Sequence, residues 1–142
     1  MFTSADQKRM LHYILCDVSA SVFFAAFGAV YEQFSHEVYS YAMIYAFAVP
    51  LVPGALLLTL MICCTKRLPS AGALVLWHAG LAAFTVWLTF SGVLEIYGTT
   101  NRLTAVYPAA GAVLTAAGAI AYICGRKKPE SARQQEQVSL KK

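Results

Sequence analysis

Charge is the scarcest commodity in this sequence. Asp, Glu, Lys and Arg together make up 13% of its 142 residues, against roughly a quarter in a soluble globular domain. Too few ionic side chains are present to clothe a water-soluble domain. Signatures of chemistry are missing as well. There is no nucleophile–base pair, no phosphate loop and no metal-ligand motif, so no enzymatic activity, metal or cofactor is expected. No nucleic-acid partner is expected either. Cysteine is sparse: Cys16, Cys63, Cys64 and Cys124, with no CxxC and with Cys63 and Cys64 adjacent, which is poor spacing for zinc. No internal repeat is found.

What the chain has instead is apolar length. The apolar fraction is 58%, concentrated in four runs, residues 10–30, 42–64, 73–94 and 104–124. Each is 21 to 23 residues long, or about 32 to 35 Å as a helix, enough to cross the hydrocarbon of a bilayer with slight tilt. Helices are the default there because lipid offers no partner for backbone N–H and C=O groups. The connections, 31–41, 65–72 and 95–103, are short, which makes neighbouring helices antiparallel. The expected fold is all-α: an integral membrane, antiparallel four-transmembrane-helix bundle over residues 1–125. Residues 126–142 are polar and without periodicity, and read as a disordered cytoplasmic tail. The 10–30 run is read as a retained span and not as a cleaved signal peptide. It carries Asp17, and no clean small-x-small site precedes a soluble domain.

Lys and Arg set the orientation. The N-terminal segment, the 65–72 turn and the tail hold ten of the eleven; the 31–41 and 95–103 connections hold only Arg102, with Glu32, Glu37 and Glu95. Both termini are therefore expected in the cytoplasm, and the protein in the plasma or inner membrane. This topology places all four cysteines in the half nearest the cytoplasm, where thiols stay reduced, so no disulfide is expected.

The second run is the most unusual. Residues 31–54 read YEQFSHEVYSYAMIYAFAVPLVPG, a polar aromatic segment running into an apolar stretch broken by Pro50, Pro53 and Gly54. Each proline removes a backbone donor and crowds the carbonyl four residues earlier, at Ala46 and Val49. A kinked second helix is expected. Interrupted helices at the midplane mark binding sites in transporters, although prolines also serve shape alone.

Two clusters qualify as candidate sites. Asp17 lies seven residues into the first run and His78 five into the third, roughly 10 and 8 Å deep by helical rise. An ionised Asp facing lipid at mid-span costs about 2.5–3.5 kcal/mol, so both groups are expected to turn inward and meet as a polar centre. Asp17 would continue a small-residue stripe of Ser21, Ala25 and Ala29; Gly111, Thr115 and Ala119 form a similar stripe in the fourth run, suited to helix packing or to a homo-oligomer. The second cluster is an external patch, Glu32, His36 and Glu95, with Glu32 and His36 one helical turn apart. Its simplest account is an interfacial aromatic segment with Tyr31, Tyr39, Tyr41 and Tyr45; a partner or lipid headgroup could dock there. His12 and His78 both lie toward the cytoplasmic side, the basis for a haem-linked alternative.

Four short spans with one acidic residue in the first look like the layout of the small multidrug resistance transporters. Those carry a Glu in span one where this chain has Asp17, and their span-one pattern is not found around it. The likeness is one of layout, not of membership. The leading expectation is a non-enzymatic membrane component, an accessory or interaction subunit in contact with the lipid bilayer and with a possible protein partner. A small proton- or solute-coupled transporter using Asp17 and the broken second span is the alternative, and a haem- or quinone-linked redox subunit the second alternative.

Overall fold

The computed structural model describes residues 4–34, 39–64 and 69–124. Among these there are only helices. Helix α1 covers Ser4–Phe34 and a short α2 covers Tyr41–Tyr45. A π-helical segment, Pro50–Leu56, leads into α3, Leu57–Cys64. Helix α4 is Ala71–Ile96; a 3₁₀ turn, Arg102–Ala105, precedes α5, Val106–Cys124. Four helical stretches are long and apolar enough to cross a membrane: Gln7–Phe34, Tyr41–Cys64, Ala71–Ile96 and Arg102–Cys124. They point to a multi-pass membrane protein. The tail beyond Cys124, His36 and Glu37 lie outside the described residues.

Helix ends follow local chemistry. Helix α1 overruns its apolar core at both ends, because Ala, Gln, Lys and Arg before it and Glu and Gln after it are good helix formers. Ser70 caps α4, its hydroxyl accepting the Ala73 N–H at 3.3 Å. At the far end Gly98 adopts φ 68°. Its N–H bonds to the Glu95 carbonyl at 3.1 Å, and the Thr99 N–H to that of Leu94 at 3.0 Å, the paired bonds of a glycine-terminated helix. Asn101 starts the next element by accepting the Leu103 N–H at 3.0 Å.

Packing runs in sequence. Helix α1 lies on the second span, the second span on α4, and α4 on α5. Among the described residues α5 brings its Cα atoms within 8 Å of α4 and the 3₁₀ turn alone, and α1 and α5 do not approach that closely. The α4–α5 seam is built on small residues. A Cβ at Gly80 would sit 2.4 Å from Thr115 Cγ2, and one at Gly118 would sit 2.8 Å from the Trp77 nitrogen. The backbones approach as closely as hydrogen at Cα allows. The stripe of the fourth run is thus used inside the chain: Gly111 and Gly118 are buried against α4.

The stripe expected on α1 is corrected. Ser21 is buried, but Ala25 and Ala29 are exposed, and Gly28 is buried instead. A four-residue step overshoots a full turn by about 40°, so three such steps carry Ala29 about 120° away from Asp17. Met10 and Gly28, seven and eleven residues from Asp17, stay within about 20° of it. Met10, fully buried, joins Leu58 and Leu74 in the apolar core, flanked by Tyr13, Ile14, Met61 and Ile62.

The seam is tested by Gly118→Leu. Overpacking of this kind costs about 1–3 kcal/mol, and the thermal midpoint in mild detergent is expected to fall. Gly72→Leu, where nothing lies within 4 Å of the added carbon, should leave it unchanged. Equal effects would show that the α4–α5 contact contributes little.

Candidate functional site

Asp17, Gly54 and His78 come together from three separate spans. Asp17 is buried, 8% exposed, on the inward face of α1. Its Oδ2 is 3.0 Å from His78 Nε2. His78 Nδ1 is 2.8 Å from the Leu74 carbonyl one turn earlier in α4. A carbonyl only accepts, so Nδ1 carries a hydrogen and donates it. One further hydrogen then joins Nε2 to Oδ2. It belongs either to an imidazolium facing a carboxylate or to a carboxylic acid facing a neutral imidazole, and in both forms the pair carries no net charge.

The surroundings hold this geometry from three sides. The Tyr13 ring, one turn before Asp17, lies on the His78 ring with centroids 4.6 Å apart and planes at 33°. The Ser21 hydroxyl donates to the Asp17 backbone carbonyl at 2.8 Å. On the second span Gly54 abuts the carboxylate: a Cβ there would lie 2.8 Å from Oδ2 and 2.9 Å from Cγ. Only glycine leaves room for the acid.

Pro50, Pro53 and Gly54 therefore belong to the same site as Asp17 and His78. The prolines withdraw two donors from one turn, and the ladder widens to five-residue spacing, with the Leu57 N–H reaching the Val52 carbonyl as well as Gly54. The Pro53 carbonyl accepts instead from Trp77 Nε1 at 2.9 Å. Trp77 is thus the neighbour that satisfies the broken helix, and His78, next in sequence, reaches the acid.

Of the external patch, Glu32 and Glu95 are among the described residues. Glu95 Oε2 accepts a hydrogen bond from the Ser40 hydroxyl at 2.5 Å, and that hydroxyl also accepts the Met43 N–H at 3.5 Å. Glu95 therefore ties α4 to the start of the second span. Glu32 lies near the end of α1, half-buried, and His36 is outside the described residues. Tyr31 and Tyr97 lie near each other at the same end. His12 does not face His78: it is exposed, with Nε2 3.8 Å from Cys16 Sγ. All four cysteines are free and exposed. Among the described residues no three His, Cys, Asp or Glu side chains gather as a metal site would need.

Tyr13, Trp77 and Ser40 were not singled out from the sequence. Tyr13 had a usable signal, four residues before Asp17 and so on its face. Trp77 had a weaker one: the carbonyls the prolines free are those of Ala46 and Val49, whereas its indole serves the Pro53 carbonyl, which the π register leaves open.

An apolar groove of about 360 Å³ lies between α3 and α5 and is floored by α4, with Leu58, Met61, Leu74, Trp77, Gly118 and Tyr122 among its walls. Asp17 and His78 do not line it. No protein-family model matches this chain, and no curated protein or solved structure matches it either.

Two substitutions test the site. Gly54→Ala is expected to push the carboxylate off His78 and to lower stability by about 1–3 kcal/mol, read by thermal unfolding and by a change in the His78 ring ¹⁵N signals. Trp77→Phe leaves the Pro53 carbonyl without its indole donor, and a loss of about 1 kcal/mol is expected. Wild-type stability and unchanged His78 signals in Gly54→Ala would refute the packing described here.

Proposed function

We propose that this chain is a non-enzymatic, multi-pass component of the plasma or inner membrane whose first span is held to its third by the Asp17–His78 pair. One observation carries the reading: a buried acid from α1 and a half-buried imidazole from α4 meet at the spot where the second span is interrupted. In hydrocarbon such a pair ties helices together because neither partner has water to turn to. The outward-facing Leu15, Phe23, Leu60, Val86, Val113 and Ile120 support lipid contact on every span. Close approaches of residue 17 to 54, 28 to 43, 80 to 111 and 118 to 77 support the antiparallel arrangement, and the π-helical turn at the prolines supports a kink there. The Lys and Arg distribution supports a cytoplasmic side for both termini. The groove beside α5 offers such a component a surface for lipid or for a partner.

A second reading is a small proton- or solute-coupled transporter. The observation in its favour is the contact of the acid with Gly54 inside the π-helical segment, since π turns recur at functional sites and interrupted helices surround transporter sites.

Purified protein in liposomes separates the two. The component reading expects no proton flux, and Asp17→Asn or His78→Ala to lower the thermal midpoint. Flux that Asp17→Asn abolishes in a protein still folded would move the assignment to transport. Orientation is tested independently with single cysteines at Thr99 and Ser70 in a Cys-free background. Thr99→Cys is expected to react with an impermeant reagent added outside intact cells, and Ser70→Cys is not; the reverse pattern would invert the topology.

A further inference from the structure

We propose that Asp17 and His78 form a one-proton latch: with the shared proton in place the Asp17 turn of α1 is joined to α4, and with it gone that turn moves away from His78 beside the π-helical segment. The inference goes beyond both readings above: it names what the shared proton does, whether or not the chain moves protons across the membrane.

The contact needs that proton. Nδ1 is committed as a donor to the Leu74 carbonyl, so the hydrogen between Nε2 and Oδ2 is the only one joining the two residues. Its loss to water leaves a nitrogen lone pair facing a carboxylate at 3.0 Å, and attraction becomes repulsion. No covalent bond changes; one proton passes to the solvent and returns from it.

The pair is a polar link between α1 and α4; beside it Met10 shares a buried apolar cluster with Leu58 and Leu74. Among the described residues the two helices nowhere bring Cα atoms within 8 Å of each other. They meet through side chains: Tyr13 and Asp17 with His78, and Met10 with Leu74 in one buried cluster. Between them lies the π-helical segment, packed on both. With the Asp17 contact gone, the Met10 cluster and the packing on the second span still hold α1, and the Asp17 turn shifts against the second span at its least regular turn.

The other titratable group against the pair is Tyr13, from α1. The second span presents Gly54 and the Pro53 carbonyl, neither of which titrates, and α4 adds Trp77, which does not titrate either. His12 and Cys16 contact each other and are exposed.

The test uses the full chain in lipid nanodiscs, with its four native cysteines replaced by serine and spin labels at Ser19→Cys and Ala79→Cys, both exposed positions on α1 and α4. Distance distributions are measured across a pH series while NMR follows the Asp17 carboxyl carbon and the His78 ring nitrogens. As the pair loses its proton, the wild-type distribution is expected to shift to longer distances. Asp17→Asn, whose amide donates to Nε2 without a titrating proton, is expected to keep the short distance through the same range. His78→Gln, whose amide donates to the carboxylate, should do the same. A wild-type distance that stays fixed while NMR records loss of the proton would overturn the latch, as would all three proteins lengthening together. Proton flux in liposomes is scored separately: a latch without flux refutes transport and leaves the latch standing.

Discussion

A carboxyl group seven residues inside an apolar run is the constraint that the rest of this structure answers to. Left ionised toward hydrocarbon, it would cost about 2.5–3.5 kcal/mol on insertion scales. Asp17 is instead buried, bonded to His78 at 3.0 Å, with Tyr13 over the imidazole and Gly54 against the carboxylate. Each neighbour solves a different part of the problem. His78 supplies the hydrogen-bond partner, its orientation fixed by the Leu74 carbonyl. Glycine at 54 supplies space, and the Tyr13 ring covers the imidazole from the side of α1.

The broken second span follows from the same place. Two prolines and a glycine within five residues cannot sustain a regular α-helical ladder. The chain relaxes to π spacing, and the Pro53 carbonyl takes its hydrogen from Trp77. Trp77 and His78 are consecutive in α4, so one turn of that helix completes both the interrupted backbone and the buried acid. At the opposite end Ser40 and Glu95 fix the second span to α4, and Tyr31 meets Tyr97. The spans are thus pinned by polar contacts near both ends and by close-packed glycines between α4 and α5.

Much of this was readable before any coordinates. Four apolar runs of membrane length are a strong signal; the helices contain the first and third, the second is interrupted between Tyr45 and Pro50, and the first two residues of the fourth form the end of a 3₁₀ turn. Equal depth pointed Asp17 toward His78, because antiparallel spans of known length leave few partners for a buried acid. Other features were not legible. The four-residue stripe on α1 drifted off the buried face, since 3.6 residues per turn favours seven- and eleven-residue spacing over long helices. The partner of Glu95 was Ser40 because a helix cap placed that hydroxyl beside α4, a tertiary event that no local pattern encodes. The prolines signalled a disturbed helix, but the π register and its indole donor depend on what α4 presents to it.

The central claim is that Asp17 and His78 are in direct contact in the bilayer. It is tested most directly by solid-state NMR on protein labelled with ¹³C at aspartate and ¹⁵N at histidine and reconstituted in lipid. The Asp17 carboxyl carbon and His78 Nε2 are expected to show the strong dipolar coupling of hydrogen-bonded neighbours, lost in Asp17→Asn, in which that label is absent. No detectable coupling between these two sites in the folded, reconstituted protein would contradict the account.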